Sequence, residues 1–167
     1  ETYYAKDAWA LLTHGTEWTW VPKADAAILR AHGDAGTINK LFSTGPEYVA
    51  HPPLGKWVIA IGEQLFGMTP FGWRFMPAVL GTLLVLMTAR IALRLTRSAA
   101  VAALTGLFLA IDGLAIVLSR TALLDGTLTF FLVAAFGCVL LDRDAVRRRL
   151  GNELRASMSP AVVIEQW

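Results

Sequence analysis

Three apolar runs decide most of what this chain can become. They are FMPAVLGTLLVLMTARIALRL (75–95), AAVAALTGLFLAIDGLAIVLS (99–119) and TALLDGTLTFFLVAAFGCVLL (121–141). Each has about twenty residues, the length an α-helix needs to cross a hydrocarbon core of roughly 30 Å. Only short hinges separate them, so successive spans are predicted to be antiparallel. Composition agrees: the chain is 55% hydrophobic and only 17% charged, against about 25% charged in soluble domains. The predicted fold is all-α and integral to a membrane, with transmembrane helices over 75–95, 99–119 and 121–141.

The arginines orient these spans. Arg90, Arg94 and Arg97 gather at the first hinge, and Arg143, Arg147, Arg148, Arg149 and Arg155 follow the third run, whereas the second hinge holds only Arg120. Loops rich in Lys and Arg stay in the cytoplasm. Residues 142–167 are therefore predicted to be a cytoplasmic segment, and residues 1–74 the first extracytoplasmic loop. That loop is too mixed to span. Tyr3, Tyr4, Ala8, Leu11 and Leu12 fall near helical spacing and predict a short amphipathic helix over about 3–13. HGTEWTW and FSTGPEY read as loops. Pro52 and Pro53 suit the first turn of a second helix, from about Leu54 to Phe66, lying at the membrane surface. Asp7 reads as a solvated charge on the first helix.

Charge inside an apolar stretch is costly and points to a site or to a place where the chain surfaces. Arg74, Asp112, Arg120 and Asp125 gather near one surface. Snorkelling explains the two arginines singly, but a short carboxylate reaches less far. Lys56, Arg74 and Arg120 together suit an anionic lipid headgroup, above all a phosphate, which arginine holds through paired hydrogen bonds. Trp9, Trp18, Trp20, Trp57 and Trp73 suit an interfacial belt or a sugar platform. His51 suits an acid or base, a phosphate contact, or a hydrogen bond that starts a helix. The single Cys138 excludes a disulfide framework, no spacing suggests a metal site, and no basic-aromatic surface suggests nucleic acid.

ETYYAKDAW, HPPLGKW, FGWRFMPAVLG and SRTALLDG, in this order, resemble the protein O-mannosyltransferases, and the actinobacterial members most. The resemblance covers roughly residues 1–150. It implies a GT-C-type multi-spanning helical fold in the plasma membrane, with the active site on the extracytoplasmic face. It further implies inverting transfer of mannose from polyprenyl-phosphate mannose to Ser or Thr of an exported acceptor protein. The lipid-linked donor is a substrate, so no cofactor is expected, and no metal. Such enzymes work as dimers or beside the secretion channel.

The family's acidic pair is Asp-Glu, and Glu1 matches its second member. The first member, the expected base, would precede Glu1 and lies outside this sequence. The chain therefore reads as an amino-terminal portion, expected to be inactive alone. The resemblance makes Glu1 and His51 the catalytic candidates and Lys56, Arg74, Arg120 and Asp125 the substrate-binding ones. Arg74 is assigned to the lipid phosphate, and Arg120 with Asp125 to an ion pair that shapes the site floor. Two other readings compete. One is a sister transferase acting on a lipid or glycan, which HPPL alone permits. The other is a non-catalytic membrane module.

Overall fold

A computed structural model describes residues 2–157; Glu1 lies outside them. The first helix, α1 (Thr2–His14), closes at Gly15, whose φ of +72° and N–H bond to the Leu11 carbonyl (3.0 Å) make a left-handed cap. Short helices α2 (Ala24–Arg30) and α3 (Ala35–Ile38) follow. α4 spans Leu54–Phe66, the bounds predicted from its prolines and apolar spacing. Lys56, Ile59, Ala60 and Glu63 are all buried in α4. Their spacing of i, i+3, i+4 and i+7 puts them on one face, and α4 packs on α1.

The two segments read as loops instead form a small antiparallel pair. Strand β1 (Trp18–Trp20) lies against β2 (Phe42–Pro46), with Trp18 opposite Pro46 and Trp20 opposite Phe42. A strand of three residues carries no readable alternation, and its partner lies more than twenty residues away. The sequence signal therefore showed only the Gly and Pro.

The long helices match the apolar runs in place but not in detail. α5 (Pro70–Thr96) starts five residues before the predicted span, because Thr69 caps it through the Gly72 N–H and Pro70 occupies its first position. The second run is broken. α6 (Ala99–Ile111) and α7 (Gly113–Arg120) meet at a 62° bend. Asp112 makes the break, since its carboxylate accepts the Ala115 N–H (2.8 Å) and starts a new helix. Third comes α8 (Leu124–Ser157), which continues well beyond Leu141 into the charged segment. Thus α5 and α8 are each long and apolar enough to cross a membrane, and α6 with α7 qualify as a broken span or a re-entrant loop.

Burial is uneven. Ala5, Ala8, Ile28, Ile38, Ile59, Met68 and Trp73 share one core. Beyond Trp73, the buried apolar side chains among the described residues are Pro77, Leu80, Ala102, Ala122 and Leu140.

Candidate active site

The centre of the amino-terminal region is a buried ion cluster. Lys56 of α4 is fully buried, and its Nζ lies 2.6 Å from Glu17 Oε1 and 2.9 Å from Asp7 Oδ2. Lys56 Nζ also stands 5.9 Å from the centre of the Tyr3 ring. Burial pushes the Asp7 carboxyl up, against the hydrogen bond from Lys56. Burial also works to lower Lys56, but its bonds to Glu17 and Asp7 outweigh that and leave the ammonium held above its ordinary value. Nearby Glu47 is raised too, first by burial and then by Asp7.

Two expectations change here. Asp7 is not a solvated charge; it is 1% exposed. Lys56 does not converge with Arg74 and Arg120 on an outer phosphate. Its ammonium already has two carboxylates, and no water-facing surface remains. The sign that Asp7 belongs inside was present: Tyr3, Asp7 and Leu11 recur at intervals of four, so Asp7 lies on the apolar stripe. Glu17, in a loop 39 residues from Lys56, had no such sign.

A cleft of about 310 Å³ opens beside this core, between the start of α4 and the first turns of α8. Its walls are mainly Pro52, Leu54, Leu124 and Phe131, and it carries His51 and Asp125. The two candidates therefore face one space, though 74 residues separate them. His51 is steadied edge-on by the Tyr4 ring, with centroids 5.5 Å apart. Gly55 lets the helices close on each other here: a β-carbon on it would stand 2.7 Å from Leu124 Cδ2. Thr127, at the cleft wall, is 4% exposed, and its hydroxyl has no hydrogen-bond partner among the described residues.

Arg74 is exposed near the start of α5, and Arg120 is exposed at the end of α7. The expected Arg120–Asp125 ion pair is absent among the described residues. Thr121 is extended (φ −122°, ψ 148°) and carries the chain away from Arg120 before α8 begins. Asp125 instead occupies the first turn of α8, where a carboxylate complements the helix dipole. Of the tryptophans, Trp9 and Trp73 are core residues and Trp57 is exposed. Glu63 of α4 is 1% exposed, and neither carboxylate oxygen has a hydrogen-bond partner among the described residues. Burial alone raises it well above the ordinary carboxylate value.

The family model for dolichyl-phosphate-mannose-protein mannosyltransferase matches residues 30–152. The chain belongs to this mannosyltransferase family. It is 44% identical over 98% of its length to a polyprenol-phosphate-mannose–protein mannosyltransferase of Mycobacterium tuberculosis, covering 27% of that protein. A protein of the same name from Mycolicibacterium smegmatis is 43% identical, with 100% of this chain and 29% of the relative covered. An undecaprenyl phosphate-alpha-4-amino-4-deoxy-L-arabinose arabinosyl transferase of an Enterobacter species is 34% identical over 60% of this chain and 18% of its own length. The chain thus spans about a quarter of the mycobacterial relatives it matches. No solved structure matches.

The mannosyltransferase domain match takes in α4, the cleft and the broken helix, so His51, Lys56, Arg74, Arg120 and Asp125 all fall within it. Residues 2–29, which bring Asp7 and Glu17 to Lys56, precede it but are covered by the mycobacterial likeness. Among the described residues no group of His, Cys, Asp and Glu is arranged to hold a metal ion.

Proposed function

We propose that this protein moves mannose from polyprenyl-phosphate mannose to Ser or Thr hydroxyls of exported proteins, at the extracytoplasmic face of the plasma membrane. The observation that carries the reading is the match of the family over α4 to α8 together with the cleft that holds His51 and Asp125. The relatives' names supply the donor and the acceptor class. An acceptor leaving the secretion channel would reach the site from the same face.

The reaction is an inverting displacement. The acceptor oxygen attacks the anomeric carbon of mannose, and the bond from that carbon to the phosphate oxygen breaks. The electron pair leaves with the phosphate, and the acceptor's proton passes to a carboxylate. The acidic pair that includes Glu1 takes the proton. Arg74 meets the departing phosphate, where negative charge grows and a fixed guanidinium helps most. His51 and Asp125, which line the α4–α8 cleft, and Arg120 are the further candidates for holding the donor. Lys56 acts through Asp7 and Glu17 as a positioning residue. It ties α4, which presents His51, to α1, whose first turn adjoins Glu1.

The test is transfer itself. Membranes carrying the full-length protein are supplied with labelled polyprenyl-phosphate mannose, a Ser/Thr-rich peptide and a lipid extract. Label on the peptide, released as mannose by β-elimination, is the expected result. Label on a lipid or glycan alone would move the protein beside the arabinosyl transferase. Label on neither would leave a non-catalytic module.

A further inference from the structure

The far end of the helix bundle holds a second polar site. Arg94 and Arg97 at the end of α5, and Arg143, Arg147 and Arg148 on α8, line a cavity of about 410 Å³ with a single carboxylate, Asp144. Asp144 is already committed: it accepts from Arg94 Nε (2.7 Å) and from Arg143 Nε (3.0 Å) and Nη2 (2.8 Å). Arg97, Arg147 and Arg148 form no ion pair among the described residues. Five guanidinium groups thus face one carboxylate, and the excess positive charge calls for an anion.

An apolar groove of about 500 Å³ adjoins this cavity and shares Arg94 with it. Its apolar walls are mainly Met87 and Ile91 of α5 and Ala134, Gly137 and Leu141 of α8, and Arg90 also lines it, one turn before Arg94. On α5 the residue numbers rise toward the arginines from Met87 to Arg97. On α8 they rise from Ala134 to Arg148. The groove therefore runs from the arginine cavity toward the middle of both helices. Cavity and groove together match one amphiphile, with an anionic head and a chain trailing into the bilayer. Arginine forks are suited to a phosphodiester head.

We propose that this site binds an anionic phospholipid of the surrounding bilayer, its phosphate between Arg97, Arg147 and Arg148 and one chain along the α5–α8 groove. The arginine excess decides against a neutral lipid, and the attached groove decides against a free anion. The site lies apart from the proposed catalytic cleft, and the proposal stands whether or not mannose transfer is found.

The test uses full-length protein in detergent and a photoreactive phosphatidylglycerol, with crosslinked peptides mapped by mass spectrometry. Crosslinks are expected on the groove residues of α5 and α8, with unlabelled phosphatidylglycerol competing and phosphatidylcholine and inorganic phosphate failing to compete. Each arginine that faces the bound head group contributes about fivefold in affinity for an acidic lipid. Arg97→Gln, Arg147→Gln and Arg148→Gln together should weaken crosslinking on the order of a hundredfold. Gly137→Leu, which fills the groove without touching a charge, should also reduce it. Arg149→Gln with Arg155→Gln, outside the cavity, should not. Equal competition by phosphatidylcholine overturns the proposal. Competition by inorganic phosphate makes this a free-anion site and also overturns it. An equal loss in the Arg149/Arg155 variant reduces the effect to general surface charge. Absence of groove crosslinks means that another part of the protein covers the groove.

Discussion

Up to Trp73 the chain encloses a shared core, although one side of α4 stays exposed at Leu54, Trp57, Ile61 and Leu65; beyond Trp73 few side chains are buried. The first region buries Ile28, Ile38, Ile59 and Trp73 almost completely and seals Asp7, Glu17 and Lys56 inside with them. The helices from α5 onward leave Leu83, Leu86, Phe108, Leu114, Leu132 and Val139 exposed. The apolar windows of α5 and α8 are only 11% buried. The contrast teaches what solvent each region meets. Water drives a solvated region to gather apolar groups into a core, and a charge hidden there must then be paired. Lipid, or a neighbouring helix, imposes no such penalty on a leucine.

The two regions should therefore respond differently to mutation. The largest effect belongs to Lys56. Lys56→Ala strands two buried carboxylates and should cost about 3–5 kcal/mol, read as a loss of folded full-length protein in a thermal melt. An effect under about 1 kcal/mol would mean that water reaches the cluster. Next is Gly55→Val, whose added carbons meet Leu124. It should cost about 1–3 kcal/mol and narrow the His51–Asp125 cleft, so transfer should fall more than stability does. At Leu83 or Leu132, exposed on the long helices, a change to Ala should cost much less than Ile59→Ala, for which about 2–5 kcal/mol is expected.

Glu63 gives a pH test of the same contrast. Its folded-state value lies above the unfolded one, so the folded protein holds the proton more tightly. That contribution is fully present below the ordinary carboxylate value of 4.5. It is lost as pH rises toward and through the raised value. Stability should thus fall with rising pH over this window, by about 1.4 kcal/mol for each unit of elevation crossed. Glu63→Gln should flatten that slope; an unchanged slope would show that Glu63 is ionised when folded. The smallest effect is expected at Asp112. Asp112→Ala removes the α7 cap at a cost of about 1 kcal/mol and should let α6 and α7 straighten, raising helix content without abolishing insertion.

Much of this architecture was legible in the sequence, for local reasons. Run length located the long helices, and the two prolines with the apolar spacing gave both ends of α4. The bend at Asp112 was hidden because a twenty-residue window averages one carboxylate away, whereas the backbone answers to its capping bond. The hairpin and the Lys56 cluster depend on partners distant in sequence, Phe42 for Trp20 and Glu17 for Lys56, and no periodicity reports those. Residue type suggested that Lys56 and Arg120 would join Arg74. The fold decided otherwise for Lys56, because a lysine on the inner face of α4 meets carboxylates before it can meet a headgroup. His51 and Asp125 show the opposite case: His51 was singled out alone and Asp125 as the partner of Arg120, and α4 against α8 brings the two to one cleft.

The central proposal is that Arg74, near the start of α5, is the cation that meets the donor phosphate, while Lys56, paired with Asp7 and Glu17, holds α4 to α1. The measurement that tests it most directly is mannose transfer per folded molecule, in full-length Arg74→Ala and Lys56→Ala. Transfer should fall on the order of a hundredfold or more for Arg74→Ala at unchanged substrate supply, as expected when a group that stabilises developing charge is removed. For Lys56→Ala the loss should follow the loss of folded protein, and the surviving folded fraction should retain activity. Full transfer by folded Arg74→Ala, with none by folded Lys56→Ala, would contradict the account and return the phosphate to Lys56.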